Sequence, residues 1–387
     1  MRTYKIVIIF ISALIVGGTI GFFITGFVTS GSIEKSISFN YDPSVPSPIE
    51  SLKIQTDIGK INFQYNTSNL AHYATVDVDI RISGLFMEGK DYTAFFVPDT
   101  EWWPLENEFY LKTLPDIWFD PSYWFKSYDI TINVTLRTDI VYDLTAIAST
   151  GAIEMTTANG VVLNDLTLQS TTGSIDIISK ENTKYLGDVN LATTTGSLTI
   201  VTLENSTFES GFDLSTTTGS LDLTADISNF EQGIDFEITT GSMDMGFTSC
   251  VLGDSLVGSV VTGSIELNMV DTLYTKDSAL NLMTTTGSIT VDISQSNDMA
   301  ANITSTIQTT TGSIDVMYRD ETADVGVQFV SSTGLGSVDY VYLASEFSRV
   351  GDVITSMNYN DPLVNTYTFA CSTTTGSIDV DAQSIVL

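Results

Sequence analysis

Carboxylate side chains recur at one position of a repeated phrase, and this pattern is the clearest candidate for binding chemistry in the sequence. The phrase is centred on a glycine, and the third residue after it is acidic in eight of ten copies: Glu154, Asp176, Asp222, Asp244, Glu266, Asp315, Asp339 and Asp379. If the copies stack as neighbouring strands, these carboxylates form a column with a spacing of about 5 Å, at which like charges repel unless screened or bridged.

Divalent cations offer one way to bridge such a column. Ca²⁺ prefers oxygen ligands, so the consecutive members Asp222, Asp244 and Glu266 form a candidate calcium ladder. The alternative is a solvated column screened by salt, because the nonapeptide calcium-binding repeat is absent from the sequence.

Tryptophan supplies the second candidate site. All four tryptophans, Trp102, Trp103, Trp118 and Trp124, fall within 23 residues, surrounded by Phe and Tyr. Exposed aromatic rings would form a platform for a sugar or a protein partner, or would rest at a membrane interface. The competing interpretation is a hydrophobic cap over one end of the repeats.

Threonine runs precede the glycine of several copies, as in Thr216 to Thr218 and Thr309 to Thr311. Stacked copies would align these residues at one corner. We expect a structural role through hydroxyl pairing and strand propensity. A flat threonine array that meets an ordered surface such as ice or a polysaccharide is the alternative.

The sequence contains few combinations of residues that could form a catalytic site. The only histidine is His72, and it has no cysteine or serine partner at a credible spacing. Zinc motifs with Cys or His ligands are absent from the sequence. The serines that follow the repeated glycines have no base to activate them. The sequence therefore predicts a protein that is not an enzyme and that has no resident cofactor, apart from the candidate calcium.

The phrase itself recurs at a nearly fixed spacing. Its ten glycines are 22 to 25 residues apart, except for a last step of 40: Gly151, Gly173, Gly196, Gly219, Gly241, Gly263, Gly287, Gly312, Gly336 and Gly376. A period in this range indicates one supersecondary unit stacked many times.

Apolar residues at positions +2 and +4 flank a polar +3 residue in every copy, which predicts a half-buried strand. A second apolar pair stands seven and five residues before most glycines. The interval from −5 to +2 is odd, so a flat strand would point the two pairs to opposite faces, and the glycine must lie at a bend or bulge.

Most loops between copies carry one apolar anchor, which would close a third side: Leu186, Phe208, Phe230, Leu252, Tyr274 and Met299. These features predict an all-β fold, a β-solenoid (a β-helix-like stack) of about ten or more 22–25-residue coils. An antiparallel β-sandwich is the alternative, and the near-constant period disfavours it.

The N-terminal residues predict a membrane anchor. Residues 6–28 form an apolar run without a charged residue, long enough for one transmembrane helix. Arg2 and Lys5 precede it, so residues 1–5 would be a short cytoplasmic tail of a single-pass protein whose bulk is extracytoplasmic. A signal peptide cleaved after Ser30 is the alternative, which the length of the run disfavours.

The remaining sequence divides into three parts. Residues 29–48 predict a stalk, with three prolines near its end. Residues 49–150 hold an earlier copy of the phrase at Gly59, an aromatic insertion at about 85–128 (a cap or subdomain), and expected strands at Ala74–Ile82 and Ile130–Leu136. Residues 151–387 hold the regular repeats.

The net charge limits the classes of molecule that the protein can bind. The net charge is −32, and residues 36–387 carry −34 because the first 35 residues sum to +2. Such a surface repels nucleic acid and anionic headgroups, so we expect no nucleic-acid partner. Cys250 and Cys371 lie about five repeats apart, which is more than about 20 Å and too far for a disulfide.

Four Asn-X-Ser/Thr acceptors are candidate glycosylation sites in an exported chain: Asn66, Asn133, Asn205 and Asn302. Asn205 and Asn302 fall in expected loops and are the better pair.

The recurring Thr-Thr-Gly-Ser-Ile-Asp-Val phrase resembles the adhesin β-repeat family of bacteria and archaea, a domain-of-unknown-function group found in membrane-anchored and envelope-stress proteins of the LiaG type. The similarity covers Gly151 to Val380 and extends weakly to Gly59. It implies a β-repeat fold and a surface interaction, and it supplies no catalytic residues. The longer period and the tryptophan-rich insertion depart from the family pattern.

Together these features predict a membrane-anchored, extracytoplasmic β-solenoid that acts as a non-enzymatic surface adhesin or cell-envelope scaffold. Its expected partner is a glycan or an envelope protein. One alternative is a polysaccharide-binding or polysaccharide-cleaving β-helix protein, which would need a local acidic pair in a groove. Another is a self-assembling envelope component that pairs through an uncovered edge of the last coil, near Leu387.

Overall fold

The computed structural model describes residues 30–66, 71–103, 105, 107–115, 126–320, 325–343 and 347–384. Within them the chain is all-β, built on large parallel sheets, and it forms no α-helix. No helix in these ranges has the length and apolar character needed to cross a membrane. The predicted tail 1–5 and membrane segment 6–28 lie outside the described residues.

The part before the regular repeats contains seven strands: β1 (Gly31–Tyr41), β2 (Ile49–Thr56), β3 (Lys60–Asn66), β4 (Ala74–Gly84), β5 (Glu108–Leu111), β6 (Lys126–Arg137) and β7 (Val141–Thr150). Two single-turn 3₁₀ helices lie between β4 and β5, at Tyr92–Ala94 and Asp99–Glu101.

The regular repeats contain twenty strands: β8 (Ile153–Thr156), β9 (Val162–Thr172), β10 (Ile175–Ser179), β11 (Lys184–Tyr185), β12 (Val189–Thr195), β13 (Leu198–Thr202), β14 (Thr207–Phe208), β15 (Phe212–Thr218), β16 (Leu221–Asp226), β17 (Asn229–Phe230), β18 (Ile234–Thr240), β19 (Met243–Thr248), β20 (Val251–Leu252), β21 (Leu256–Thr262), β22 (Ile265–Val270), β23 (Leu273–Tyr274), β24 (Ser278–Thr286), β25 (Ile289–Gln295), β26 (Ile303–Thr311) and β27 (Ile314–Asp320). The C-terminal part adds β28 (Gly326–Leu335), β29 (Val338–Leu343), β30 (Phe347–Val350), β31 (Val353–Ser356), β32 (Thr366–Thr375) and β33 (Ile378–Ser384).

Successive repeats pair in parallel along two walls. The strands that follow each glycine form one wall, in the order β8-β10-β13-β16-β19-β22-β25-β27. The strands that precede each glycine form the other, in the order β7-β9-β12-β15-β18-β21-β24-β26. The two-residue strands β11, β14, β17, β20 and β23 pair along a third side.

The prediction that both apolar pairs of a repeat point inward is confirmed. Leu214, five residues before Gly219, is 2% exposed, and Leu221, two residues after it, is 1% exposed. Thr217 and Thr218 between them both face outward. Because two consecutive residues face outward, the in-and-out alternation is interrupted, and both apolar pairs face inward across the interval of seven residues. The glycine at the corner completes the turn.

The corner tolerates only glycine because backbones approach closely there. Gly241 has φ +149°, a conformation that residues with a Cβ rarely adopt. A Cβ on Gly241 would lie 1.6 Å from the carbonyl oxygen of Gly219 in the neighbouring repeat. The same relation links the whole column, in spatial order: Gly59, Gly151, Gly173, Gly196, Gly219, Gly241, Gly263, Gly287, Gly312, Gly376 and Gly336.

On the third side, the buried anchor of one repeat is Tyr185 and not the predicted Leu186. Tyr185 is 1% exposed and pairs with Phe208, whereas Leu186 is only half-buried. The ring centroids of Tyr185 and Phe208 lie 4.6 Å apart, and those of Phe208 and Phe230 lie 4.7 Å apart, nearly parallel in both cases. A stack at strand spacing buries these rings against one another inside the core.

The predicted stalk at 29–48 is wrong over most of its length. β1 pairs antiparallel with β4 over its full length, and β4 pairs antiparallel with β6. Alternating residues of β1, including Ile33, Ile37 and Phe39, pack against the core. These three strands extend one wall beyond β3, while β5 extends the other beyond β2, so the insertion covers this end of the stack.

The order of repeats at the other end differs from the order in sequence. β32 lies between β26 and β28, and β33 lies between β27 and β29. The last repeat is therefore internal, and the hairpin β30–β31 pairs antiparallel with β28 outside it. The final repeat is therefore not at the edge of the stack, in contrast to the expectation, and Leu387 lies outside the described residues. Among the described strands, the edge of the first wall is β29 of the repeat before it, and association through an edge stays a prediction.

We expect Gly241→Ala to lower the free energy of unfolding by about 3 kcal/mol or more, since it combines backbone strain with a backbone clash. Gly246→Ala in the same repeat is the matched control, because a Cβ there meets its nearest atom at 3.9 Å. Denaturant unfolding of the two variants makes the comparison. Equal midpoints would contradict the account of the column.

Candidate functional site

The acidic residues at position +3 do form a column on the outer face of the first wall. Asp222 pairs with Asp244, and Asp244 pairs with Glu266, in exact register on β16, β19 and β22. All three side chains are exposed. Alternation along each strand directs them outward, while the apolar residues on either side enter the core.

Like-charge proximity perturbs this column. The pKa of Asp244 is raised from its usual value, first by partial burial and then by the charges of Glu266 and Asp222. Thr199 and Thr290 interrupt the run of carboxylates. At its N-terminal end, Glu154 forms an ion pair with Lys60 of β3. These uncharged positions and this cation reduce the repulsion along the wall.

The densest acidic group results from the inserted repeat. Asp315 pairs with Asp379, and Asp379 pairs with Asp339 on its other side. Asp292, Asp381 and Met317 line the same groove. Arg319 donates a hydrogen bond to Asp292 at 3.0 Å. The sequence identified Asp315 and Asp379 as members of the column, but nothing in their spacing of 64 residues indicated that they are neighbours.

Asp315 and Asp379 are in direct contact. The pKa of Asp315 is raised by partial burial first, then by a hydrogen bond with Asp379 and by its charge. Glycoside hydrolysis needs two carboxyl groups about 5 Å or more apart, with the sugar bond between them. Carboxyl groups within hydrogen-bond reach of each other leave no room for that bond, so this pair does not have the geometry of a hydrolase.

A second acidic pair lies on the other wall and escaped the sequence analysis. Asp213 pairs with Asp235, six residues before their respective glycines, in a shallow groove that also contains Glu237. Burial, then Asp235 and Asp188, raises the pKa of Asp213, and burial followed by Glu237 raises that of Asp235. Position −6 is not acidic in most repeats, so it gave no periodic signal.

The calcium ladder at Asp222, Asp244 and Glu266 stays a prediction. Among the described residues, no group of three or more His, Cys, Asp or Glu side chains is arranged to hold a metal ion. The carboxylates of a strand column are arranged in a line, whereas Ca²⁺ needs six to eight oxygen ligands on all sides. Water or an external anion would have to supply most of the coordination.

Threonines at the corner play two distinct parts. Four threonines at position −3 are buried and bond to a glycine carbonyl of the adjacent repeat: Thr216, Thr284, Thr309 and Thr373. The distance from Thr216 Oγ1 to Gly196 O is 3.3 Å. At position −1 nine threonines pair in register and are exposed: Thr150, Thr172, Thr195, Thr218, Thr240, Thr262, Thr286, Thr311 and Thr375. The first group stabilises the corner, and the second forms a regular outer face, which we call the threonine face.

Two of the four tryptophans of the predicted platform are described, and Trp102 does not present an exposed ring. Trp102 is fully buried, and its Nε1–H donates to Val97 O at 2.8 Å. Trp103 is half-buried and stacks on Phe39 and Tyr41 with centroid distances of 6.2 and 6.3 Å. The rings fill the core beneath β1 and β4, because the end of the stack must be covered. Trp118 and Trp124 lie outside the described residues.

His72 lies near the N-terminal end of the stack, where its Nδ1 contacts the Asp42 carboxylate. Both side chains are partly exposed, at 37% and 49%. The two cysteines are free, buried thiols, in agreement with the distance argument. Burial raises the pKa of Cys250 to about 11 and that of Cys371 to about 12, so neither is an activated nucleophile.

The four glycosylation candidates have different surroundings. Asn205 is exposed at a tight turn with φ +59°. The Asn302 amide bonds Asp277 and Thr366, and Asn133 Oδ1 accepts from Asn62 Nδ2 at 3.0 Å within the sheet. Asn66 ends β3 and is half-buried. Asn205 and Asn302 are both exposed, the amide of Asn302 is engaged with Asp277 and Thr366, and modification itself stays a prediction.

We expect Asp315→Asn to raise the melting temperature at pH 7 by about 1–3 °C. Because the pKa of Asp315 is raised on folding, its stabilising contribution is present at low pH and is lost as the pH rises through the raised pKa. The gain should therefore shrink as the pH falls toward 3.8, the ordinary aspartate value. Melting curves of both proteins across this range make the test.

Glu154→Gln is the matched control for this measurement, because it removes a carboxylate at the same repeat position that has a lysine partner. It should not raise the melting temperature at pH 7. A pH-independent difference between Asp315→Asn and the wild type would contradict the raised pKa of Asp315.

For the calcium ladder, we expect saturating Ca²⁺ to raise the melting temperature by a few degrees, through preferential binding to the folded state. Asp244→Asn should remove most of that increase, whereas Glu209→Gln, which removes an acid paired with Lys184, should not. Identical melting curves with and without chelator would exclude the ladder.

Comparison with known proteins adds little to these observations. Neither a protein-family model nor a curated protein matches the chain. Among solved structures, the chain is similar to one described as a "putative cell adhesion protein" from Clostridium sporogenes, with 12% sequence identity over 90% of this chain and 99% of that one. The TM-score of this match is 0.22, which is too low to carry an argument about function.

Proposed function

We propose that the stack is a β-solenoid that acts as a non-enzymatic surface adhesin or cell-envelope scaffold. In this proposal residues 6–28 anchor it in the membrane and the bulk of the chain stands outside the cell. The observation that carries the proposal is the in-register stacking of eleven glycine-centred repeats, which displays the same outward side chain at regular intervals along each wall.

Regular display suits a repeating ligand. The threonine face presents one hydroxyl and one methyl group per repeat at the strand spacing of about 4.8 Å. A polysaccharide or another ordered envelope polymer offers hydroxyl and apolar groups at regular intervals, so many weak contacts add through multivalency without a deep pocket. The acidic column on the adjacent wall keeps the rod soluble and repels other anionic surfaces.

The enzymatic alternative has weaker support. The carboxyl groups of Asp315 and Asp379 lie on register partners and interact with each other, which leaves little room for a sugar bond between them. His72 pairs with Asp42 at the N-terminal end, far in the sequence from the acidic grooves. Neither arrangement supplies a nucleophile with an activating base.

A binding experiment tests the proposal. The full chain in lipid nanodiscs is sedimented with insoluble polysaccharides and with isolated cell envelopes. We expect the triple variant Thr195→Lys, Thr218→Lys, Thr240→Lys to lose about tenfold or more in affinity, because three long charged side chains disrupt the face.

The control is the triple variant Thr156→Lys, Thr224→Lys, Asn268→Lys, which adds the same charge at exposed positions beside the acidic column. It should bind as the wild type does. Equal losses in both variants would show only a charge effect. Absence of binding to every polymer and envelope would leave a structural spacer and remove the adhesin.

A further inference from the structure

The C-terminal repeat occupies a slot inside the stack. Backbone hydrogen bonds hold it on both sides: Gly312 N donates to Thr375 O, and Gly376 N donates to Leu335 O, each at 2.9 Å. Thr373 Oγ1 donates to Gly312 O at 3.3 Å, and Thr333 Oγ1 donates to Gly376 O at 3.2 Å. The slot thus has two edges, each with the pairing of an ordinary repeat junction.

The contacts in the slot do not depend on which chain supplies the repeat. Most are backbone hydrogen bonds in parallel register, eight to nine residues long on the second wall. Inside, Phe369 stacks on Phe329 with a centroid distance of 4.7 Å, and Cys371 is buried. A second copy of the chain carries the same phrase and would make the same contacts.

The last part of the connection that delivers the repeat is exposed. Residues 344–365 join β29 to β32, and within them the hairpin β30–β31 pairs with β28 and buries Ile354. The nine residues 357–365 after β31 include Met357, which is 78% exposed, and Leu363, which is 92% exposed, and they reach about 30 Å when extended. The chain leaves the stack at β29 and returns one repeat inside it, at β32.

We propose that the C-terminal repeat, residues 366–384, exchanges between two copies of this chain, so that each stack is completed by the repeat of its partner. The occupant is the second copy because the slot already fits this sequence, and the exposed residues 357–365 form a hinge from which the repeat can enter either stack. A stack completed by its own repeat and a stack completed by the partner's repeat contain the same contacts. The chain concentration therefore determines which of the two forms predominates.

Cross-linking of outward residues at the slot tests the exchange. Val330 and Ala370 are exposed and pair in register across it. Full-length Val330→Cys and Ala370→Cys chains are unfolded together, refolded in detergent at increasing concentration, and treated with a short bifunctional thiol reagent. We expect a covalent dimer whose yield rises with the refolding concentration. The native thiols are buried and should not react, which the wild type checks.

Two controls check the geometry of the slot and the specificity of the cross-linking. The double variant Val330→Cys/Ala370→Cys must link within one chain when refolded at low concentration, and its failure would overturn the slot geometry. A mixture of Val257→Cys and Asn281→Cys chains, paired at the same repeat position across an uninterrupted junction, should give no dimer. If Val330→Cys and Ala370→Cys chains stay uncoupled at every concentration, the repeat inserts only into its own chain and the proposal is wrong. This readout needs no ligand, so it is independent of the adhesin test.

Discussion

Close approach of backbones at the glycine corner is the constraint on which the rest of the structure depends. Apart from Gly59 at φ +119°, the corner glycines adopt φ between +142° and +153° and lie against the carbonyl of the glycine in the adjacent repeat. No side chain fits there, so the position accepts only glycine. Because this contact is repeated at every junction, it fixes the register of both walls at once. The buried hydroxyl at position −3 then bonds a glycine carbonyl, which couples the corner to the core.

Fixed register turns every repeat position into a column. Inside, identical positions bring like apolar groups together, and rings such as Tyr185, Phe208 and Phe230 stack at strand spacing. Outside, the same rule brings like charges together, which raises the pKa values of Asp244 and Asp315. The repetition that stacks apolar side chains in the interior also aligns carboxylates on the outer face, and this alignment destabilises that face. Threonines in place of some carboxylates, and nearby cationic side chains, reduce the repulsion.

The two ends of the stack are built in different ways, and among the described strands β1 and β29 are the edges of the first wall. A one-dimensional array leaves its first and last repeats with one unpaired face, and such edges attract other strands. At the N-terminal end, β1, β4 and β6 continue one wall, and buried aromatic residues including Trp102 fill the space beneath them. At the other end, the final repeat is withdrawn into the stack, and a hairpin pairs with the repeat left outside.

The sequence by itself determined the repeat, its all-β character, the inward direction of the two apolar pairs and the outward acidic column, because these follow from local alternation and a fixed period. It could not determine which repeats are neighbours. The contact between Asp315 and Asp379, the burial of Trp102 and the strand at 31–41 all depend on pairings between residues far apart in the chain. Parallel strands of one phrase pair equally well in any order, so only the connections and the packing of the whole chain selected the order observed.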